Sequence, residues 1–473
     1  MAYTKYSLTP ADNNAAPPNG APEGMLPSAV NDTMRDMMAQ IRDCGDGIRG
    51  GTYTMTAPVI TGGSVTGITD LAVADGGTGA STAANARTNL GAAASGANSD
   101  ITSITGLTTP LSVAQGGTGS AAGVNGIGFK NRIINGDMRI DQRNGGASVT
   151  QSTTAAYIVD RFLMYGSVTS KFTAQQNAAS ITPPIGYINY LGITSSSAYT
   201  VGAAEEFWVA QRIEGLNVAD LAWGTASAKA VTLSFQVRSS LTGTFGGCLK
   251  NSAGNRSYPF TYTISSANTW TSISVTIAGD TTGTWLTTSG IGLSVIFGLG
   301  VGSTGSGTAG AWAAANYNSA TSAISVVGTN AATWYVTGVQ LEVGSSATSF
   351  EFRDIASELG MCQRYFQKIG PNIGSTSSAA YSTLGSGFGQ STTAAAISVK
   401  YIATMRSNPT IVQSNTGLNT PSQITVTGIN FSSLGADSAY VGVDVASGLV
   451  LYQGLIWCQN NNAAGFASFS AEL

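Results

Sequence analysis

Apolar residues recur at three different spacings along the chain, and each spacing predicts a different element. Val30, Met34, Met37, Ile41 and Cys44 follow one another at alternating intervals of four and three, the stripe of an amphipathic helix. Ser28 is placed to cap its start, and Gly45 and Gly47 to end it. The stripe fits a short coiled coil, and it fits one helix docked on a neighbouring surface equally well, because about two heptads do not stand alone. Farther on the period falls to two: 230–240 (AVTLSFQVRSS), 270–280 (WTSISVTIAGD), 291–300 (IGLSVIFGLG) and 334–344 (WYVTGVQLEVG) each read as a strand. Gly, Asn and Ser turns separate them, which predicts an antiparallel β-sandwich. Beyond it, 357–366 (SELGMCQRYF) puts Leu359, Cys362, Tyr365 and Phe366 on one helical face. Strands follow at 395–404, 422–431 and 447–457, with Pro409 turning the chain after the first of them.

Between the first helix and the first strand there is little apolar pattern but a near-copy. LAVADGGTGAS (Leu71 to Ser81) returns as LSVAQGGTGSA (Leu111 to Ala121), preceded in turn by SVTGITD and SITGLTTP. A glycine-rich repeat of this kind buries too little apolar surface alone to offset the entropy of ordering it, whereas three chains wound together bury their Ile, Leu and Val against one another. The choice is between such an ordered shaft and a disordered linker, and the regularity of the repeat favours the shaft. Within it, Ser81 or Thr82 is positioned to cap a short helix over 83–90, stopped by Gly91. Before the first helix Pro10, Pro17, Pro18, Pro22 and Pro27 favour extended chain lying on another surface. Aromatic residues place the main boundary: only Tyr3, Tyr6 and Tyr53 precede Phe129. The expected organisation is an attachment segment at 1–50, a repeat shaft at 51–127, a β-sandwich at 128–355 and a β-rich tip at 356–473.

Composition narrows the function classes. Charged residues make up only 10% of the chain, Gly contributes 60 residues and the net charge is −3, so there is no basic footprint for nucleic acid. No apolar run is long enough to insert in a membrane, and the opening residues lack the apolar centre of a secretory signal, which points to folding in a cytoplasm. The chain has no His. Serine triads, Cys-His pairs and histidine-ligated metals are therefore excluded, and any catalysis would rest on carboxylates. Cys44, Cys248, Cys362 and Cys458 lie far apart without a CxxC pair, as expected of free thiols in a core rather than a zinc site or disulfide framework.

Several segments resemble tail fibres of tailed bacteriophages. GGTGASTAANARTNLGA (Gly76 to Ala92) looks like their short shaft repeat, and the segment from Ala16 to Asp43 is similar to their virion-attachment segments. RIINGDMRIDQRNGG (Arg132 to Gly146) with YIVDRFLMY (Tyr157 to Tyr165) resembles the opening of a β-sandwich module of phage tail proteins, and Trp334 to Arg353 its end. CQRYFQK (Cys362 to Lys368) and KYIATMRSNPT (Lys400 to Thr410) resemble a fibre-tip domain. The resemblance implies a mainly β, elongated trimeric fibre: a short N-terminal helix, a repeat shaft, a jelly-roll-like sandwich and a receptor-binding tip. It also implies a place in the virion tail after assembly in the host cytoplasm, with an adaptor or baseplate protein touching the N-terminus through Val30, Met34, Met37 and Ile41.

Candidate chemistry is sparse. Gly300, Gly302 and Gly305 spell GxGxxG after an apolar run, yet no helical period follows and no acid stands where a ribose-binding carboxylate belongs, so a flexible loop at a sandwich end is expected. Glu205, Glu206, Glu214 and Asp220 lie near Phe207, Trp208 and Trp223 and are the acids from which a glycosidase pair would come. Asp137, Arg139, Asp141, Arg143, Asp160 and Arg161 read as an ion-pair network between the first strands of the sandwich. For reversible sugar contact, rings offer apolar faces and amides offer hydrogen bonds. In the tip these are Tyr381, Phe388, Tyr440, Asn460, Asn461 and Asn462; taken singly, each tyrosine reads first as a core or trimer-interface residue, so the expectation concerns the surface as a whole. The expectation is a non-enzymatic homotrimer that attaches the particle to a bacterial surface polysaccharide or other receptor, with no catalytic residue, cofactor or metal. The alternatives are a tailspike-type depolymerase and a purely structural head or baseplate fibre.

Overall fold

A computed structural model describes residues 26–50, 78, 80, 82–90, 130–370, 383–419, 423–459 and 465–473. The proline-rich opening, nearly all of the repeat shaft, and Tyr381, Asn460, Asn461 and Asn462 lie outside the described residues. Helix α1 spans Pro27–Arg49, which corrects both expected ends. Leu26, not Ser28, is the N-cap; its hydrocarbon side chain has no acceptor, and Pro27 starts the helix by setting the first φ and leaving one fewer N–H to satisfy. Gly45 and Gly47 are carried through inside the helix, each a cost of about 1 kcal/mol rather than a stop. Val30, Met34, Met37 and Ile41 are exposed on it. Helix α2 (Ala83–Asn89) starts as expected, with the Thr82 side chain accepting from the Asn85 N–H at 3.2 Å.

Residues 130–354 form two six-stranded antiparallel sheets. One runs in spatial order β1 (Val149–Thr150), β4 (Phe172–Gln176), β5 (Leu191–Ser195), β14 (Thr333–Val343), β7 (Val231–Ser239) and β10 (Thr271–Ile277). The other runs β2 (Ala156–Val159), β3 (Phe162–Gly166), β6 (Glu206–Glu214), β11 (Ile291–Val301), β8 (Gly243–Lys250) and β9 (Ser257–Ile264). The four alternating segments seen in the sequence are β7, β10, β11 and β14. Alternation on β7 sends Val231, Leu233, Phe235 and Val237 inward, where they meet Phe207, Phe245, Phe260, Phe297 and Trp334 in one core. The Trp334 indole N–H donates to the Tyr262 hydroxyl at 3.0 Å, and burial pushes that phenol above its ordinary pKa. β14 bulges between Thr337 and Gln340, where Gly338 takes φ +62° beneath the Tyr187 ring. Two further short strands, β12 (Ser306–Gly307) and β13 (Ser319–Ala320), pair in parallel, and β13 lies over Gly246 and Gly298.

A short helix, α3 (Ile355–Gln363), leads from the sandwich to the tip, capped by the Asp354 carboxylate accepting from the Ala356 and Ser357 N–H groups. It ends before Tyr365 and Phe366, which the sequence pattern had placed on its face. Phe366 instead begins β15 (Phe366–Ile369), which pairs with β23 (Phe466–Ser470) and through it with β18 (Thr410–Ser414). The tip proper is a closed barrel in the order β16 (Thr383–Gly389), β17 (Ala394–Lys400), β21 (Ser438–Val445), β20 (Gln423–Leu434), β19 (Thr416–Asn419) and β22 (Gly454–Gln459). Only the second half of 447–457 is strand. Gly448 at φ +100° and Tyr452 at φ +62° turn the first half back. The bore is narrow and is filled mainly by Ala395, Ile397, Val399, Val441, Val443 and Trp457.

Candidate functional site

Strand alternation decides which barrel residues face outward. Ala395, Ile397 and Val399 of β17 point into the barrel core, so Ala396, Ser398 and Lys400 face out. Phe388 of β16 pairs with Ala396, and Tyr440 of β21 pairs with Ser398, two residues along the same strand. The two rings therefore flank β17 on the outer surface, each 40% exposed, and neither is a core residue. Ala396 between them is buried. Tyr452, in the turn before β22, is 77% exposed and sets its ring 6.5 Å from that of Phe388 at an interplanar angle of 38°. The Gln390 amide donates to the Tyr440 hydroxyl at 3.3 Å, and Ser386 and Ser398 lie in the Tyr440 row. Three exposed rings thus share the outer surface with the Ser386 and Ser398 hydroxyls and the Gln390 amide, which sets apolar faces beside hydrogen-bonding groups.

The structure thus unites Phe388 and Tyr440 and adds Tyr452, which the sequence reading missed. The run Leu449, Val450, Leu451, Tyr452 reads as strand in the sequence, whereas Leu451 and Tyr452 form the turn before β22.

The four acids near Trp208 do not form an isolated pair. Glu205 accepts from the Tyr199 hydroxyl and the Gly202 N–H, and Glu206 from the Trp208 indole and the Asn318 amide. Asp220 pairs with Arg132 at 2.7 Å. Glu214 receives two bonds from Arg364, at 2.9 and 2.6 Å, and one from the Tyr365 hydroxyl. Burial pushes the Glu214 carboxyl up, but these bonds outweigh it and hold the group below its ordinary pKa. Arg132, Arg353 and Arg364 line a cavity of about 310 Å³ with Asn131, Ile134, Asn217, Met361 and Tyr365. Each guanidinium there is tied to a carboxylate, Arg132 within the sandwich, Arg353 to Glu358 of α3 and Arg364, at the end of α3, back to Glu214 of β6.

The expected ion-pair network is present with different partners. Only Arg139 and Asp137 pair within the set, at 2.5 Å. Arg143 and the fully buried Arg161 both reach Glu472 at the far end of the chain, and Arg161 also lies 3.6 Å over the Tyr365 ring. Asp141 instead caps its own loop through the Asn144 and Gly146 N–H groups. Asp160 is bonded twice by Gln142 at 2.6 Å, but burial dominates and raises its carboxyl to about 7. These charges lie mostly in the irregular segment before β1, so they cannot form the cross-strand pairs expected of them.

GxGxxG belongs to the end of β11 and the turn after it. That turn is held rather than flexible: Gly302 donates to the Glu205 carbonyl at 2.8 Å, and a Cβ on it would overlap the Gly202 and Ala203 carbonyl oxygens. All four cysteines are free thiols, with Cys44 half-buried and the other three buried. Among the described residues no group of His, Cys, Asp and Glu is arranged to hold a metal.

Aromatic residues on the sandwich surface are tied into structural contacts. Trp208 and Tyr165, 5.3 Å apart, cover Leu163, Ala210, Cys248 and Ile296 on the outer side of the β6–β11 sheet. Trp223, Trp285 and Trp312 meet edge to face at 4.8–5.3 Å. Each of their indole N–H groups donates to a backbone carbonyl, those of Lys229, Thr282 and Ala278.

No protein-family model and no curated protein matches the chain. Among solved structures it is similar to the enzymatically active domain of bacteriophage CBA120 tailspike protein 4, at 8% identity and TM-score 0.23, over 46% of this chain and 22% of that one. It is also similar to a family 11 carbohydrate-binding module from Clostridium thermocellum in complex with a mixed-linked tetrasaccharide, at 10% identity and TM-score 0.22, over 42% and 98% of the two chains. A tandem CBM22 domain from Paenibacillus barcinonensis Xyn10C gives 8% identity and TM-score 0.20, over 70% and 97%. Superpositions this loose establish no shared fold, and the sandwich and barrel stand on their own geometry.

Proposed function

We propose that the chain is a non-enzymatic tail fibre of a tailed phage, a homotrimer anchored by its N-terminal segment to an adaptor or baseplate protein. Its C-terminal barrel binds a bacterial surface polysaccharide. The observation that carries this reading is the group of exposed rings Phe388, Tyr440 and Tyr452 on one face of the barrel. Rings left in water on a domain that has apolar core positions to offer are placed for a partner. The order of the segments along the chain, helix, repeats, sandwich, tip, supports the fibre design. The acids of 205–220 are each engaged in hydrogen bonds or ion pairs that brace the fold, which supports binding without bond cleavage. Contacts on an open aromatic surface are individually weak, and three tips on one fibre with several fibres on one particle raise the avidity.

The test is binding of the full-length chain to immobilised, purified bacterial surface polysaccharides, alongside a variant with Phe388, Tyr440 and Tyr452 all replaced by Ala. The expected result is capture of the parent on at least one polysaccharide, loss of capture for the triple variant, and no new reducing ends. Undiminished capture by the folded variant would overturn the site, and released oligosaccharide would overturn the non-enzymatic reading.

A further inference from the structure

Sandwich residues that meet water are mostly Ser, Thr and Ala, and a cluster of large apolar side chains stands out among them. The loop between β4 and β5 carries Ile185 at 102% and Ile188 at 72% exposure, on either side of Tyr187. The Tyr187 ring packs against Phe350 at 5.5 Å and Phe352 at 5.3 Å, and those two rings are 4.8 Å from each other. Phe352 and Ile355 are themselves 55% and 50% exposed. Single exposed apolar side chains are ordinary, but three rings in mutual contact, with Ile185 and Ile188 exposed on either side of Tyr187, mark an interaction surface.

Its position identifies the occupant. Glu351 stands between Phe350 and Phe352, and its carboxylate receives the backbone N–H groups of Lys130 at 3.2 Å and Asn131 at 2.9 Å. The Lys130 ammonium donates to the Ser349 carbonyl at 2.7 Å. Lys130 is the first described residue of the sandwich, so the apolar group flanks the residue through which the preceding chain enters it. If three chains leave a common shaft, their three Lys130 residues lie near one axis, and whatever flanks Lys130 is turned toward the other two copies.

We propose that the Ile185, Ile188, Tyr187, Phe350 and Phe352 surface packs against the same surface of two further copies of this chain, closing the head of the fibre around its axis. The proposal rests on the trimeric fibre reading above. It assigns the sandwich a second role: its apolar collar prevents the three strands from splaying where the shaft ends and spaces the three tips.

The experiment uses the full-length chain with Cys44→Ser and Ile188→Cys, treated with a short bismaleimide, while light scattering gives the mass of the untreated protein. Ser274→Cys, on the exposed outer side of β10, is the control. The expected result is a trimer mass, loss of the monomer band into linked dimer and trimer for Ile188→Cys, and a retained monomer band for Ser274→Cys. A trimer mass with no linkage at Ile188 would overturn the collar and leave the fibre reading standing. A monomer mass would overturn both. Should Ile188→Cys fail to fold, Ile185→Cys takes its place, since a side chain wholly in water contributes nothing to the core.

Discussion

The sandwich and the barrel use aromatic residues in opposite ways. In the sandwich, Phe162, Phe172, Phe207, Phe245, Phe260, Phe297 and Trp334 are almost fully buried between two broad sheets. In the barrel the interior is mostly Val, Leu and Ala around Trp457, and Phe388, Tyr440 and Tyr452 are exposed. The difference follows from width. Two sheets about 10 Å apart need large side chains to fill the gap, whereas six strands closed on themselves leave a bore that small and β-branched residues fill. A Cβ on Gly387 would already overlap the Ala396 carbonyl oxygen of the next strand. Trp457 takes the one large place in that interior, and Phe388 and Tyr440, encoded on the outward side of β16 and β21, fall on the surface.

Substitutions can break that contrast, and they are ordered here by their expected effect on stability. Trp334→Ala should cost about 3–5 kcal/mol, through the cavity it leaves and the loss of the donor to Tyr262. Thermal unfolding of the full chain reads it, and a change below about 1 kcal/mol would show that the sandwich core does not depend on its rings. Glu472→Ala should cost about 3 kcal/mol or more, because it strands Arg161, 1% exposed, and Arg143 without their carboxylate. Its signature is a barrel transition that separates from that of the sandwich in calorimetry, and a single unshifted transition would count against these ion pairs.

The third prediction concerns pH. Asp160 is raised in the folded protein from the ordinary 3.8 to about 7, so its protonated form is favoured by folding. The stability this contributes is fully present below pH 3.8 and is lost as pH rises toward and through 7. Asp160→Asn should flatten the fall in melting temperature over that interval, and an unchanged slope would contradict the assignment. Smallest of all, the triple Ala variant of Phe388, Tyr440 and Tyr452 should change stability by less than about 2 kcal/mol while abolishing polysaccharide capture. A collapse of the barrel on that substitution would show that these rings serve the fold after all.

Elements governed by neighbours a few residues away were legible in the sequence. Alternation identified β7, β10, β11 and β14, the Thr82 cap located α2, and the onset of large side chains near Phe129 marked where cores begin. Glycine was over-read: Gly45 and Gly47 lie inside α1, since one unfavourable residue costs less than the turns on either side return. Phe388 and Tyr440 were chosen by residue type, but type alone did not say that a shared strand, β17, would bring them together or that a turn would add Tyr452.

What the amino-acid order determined by itself is the class of each segment, because backbone preference and apolar period are local properties that every short window carries. Pairing over long range was decided only by the tertiary structure. Arg161 and Glu472 are 311 positions apart, and no local signal distinguishes Glu472 from Asp141 or Asp160 as the partner. The choice is made when β23 adds to β15 and carries the last residues onto the opening of the sandwich. The same holds for the outward face of the barrel: closure and register select the side on which each ring falls, and a shift of one residue would have buried them.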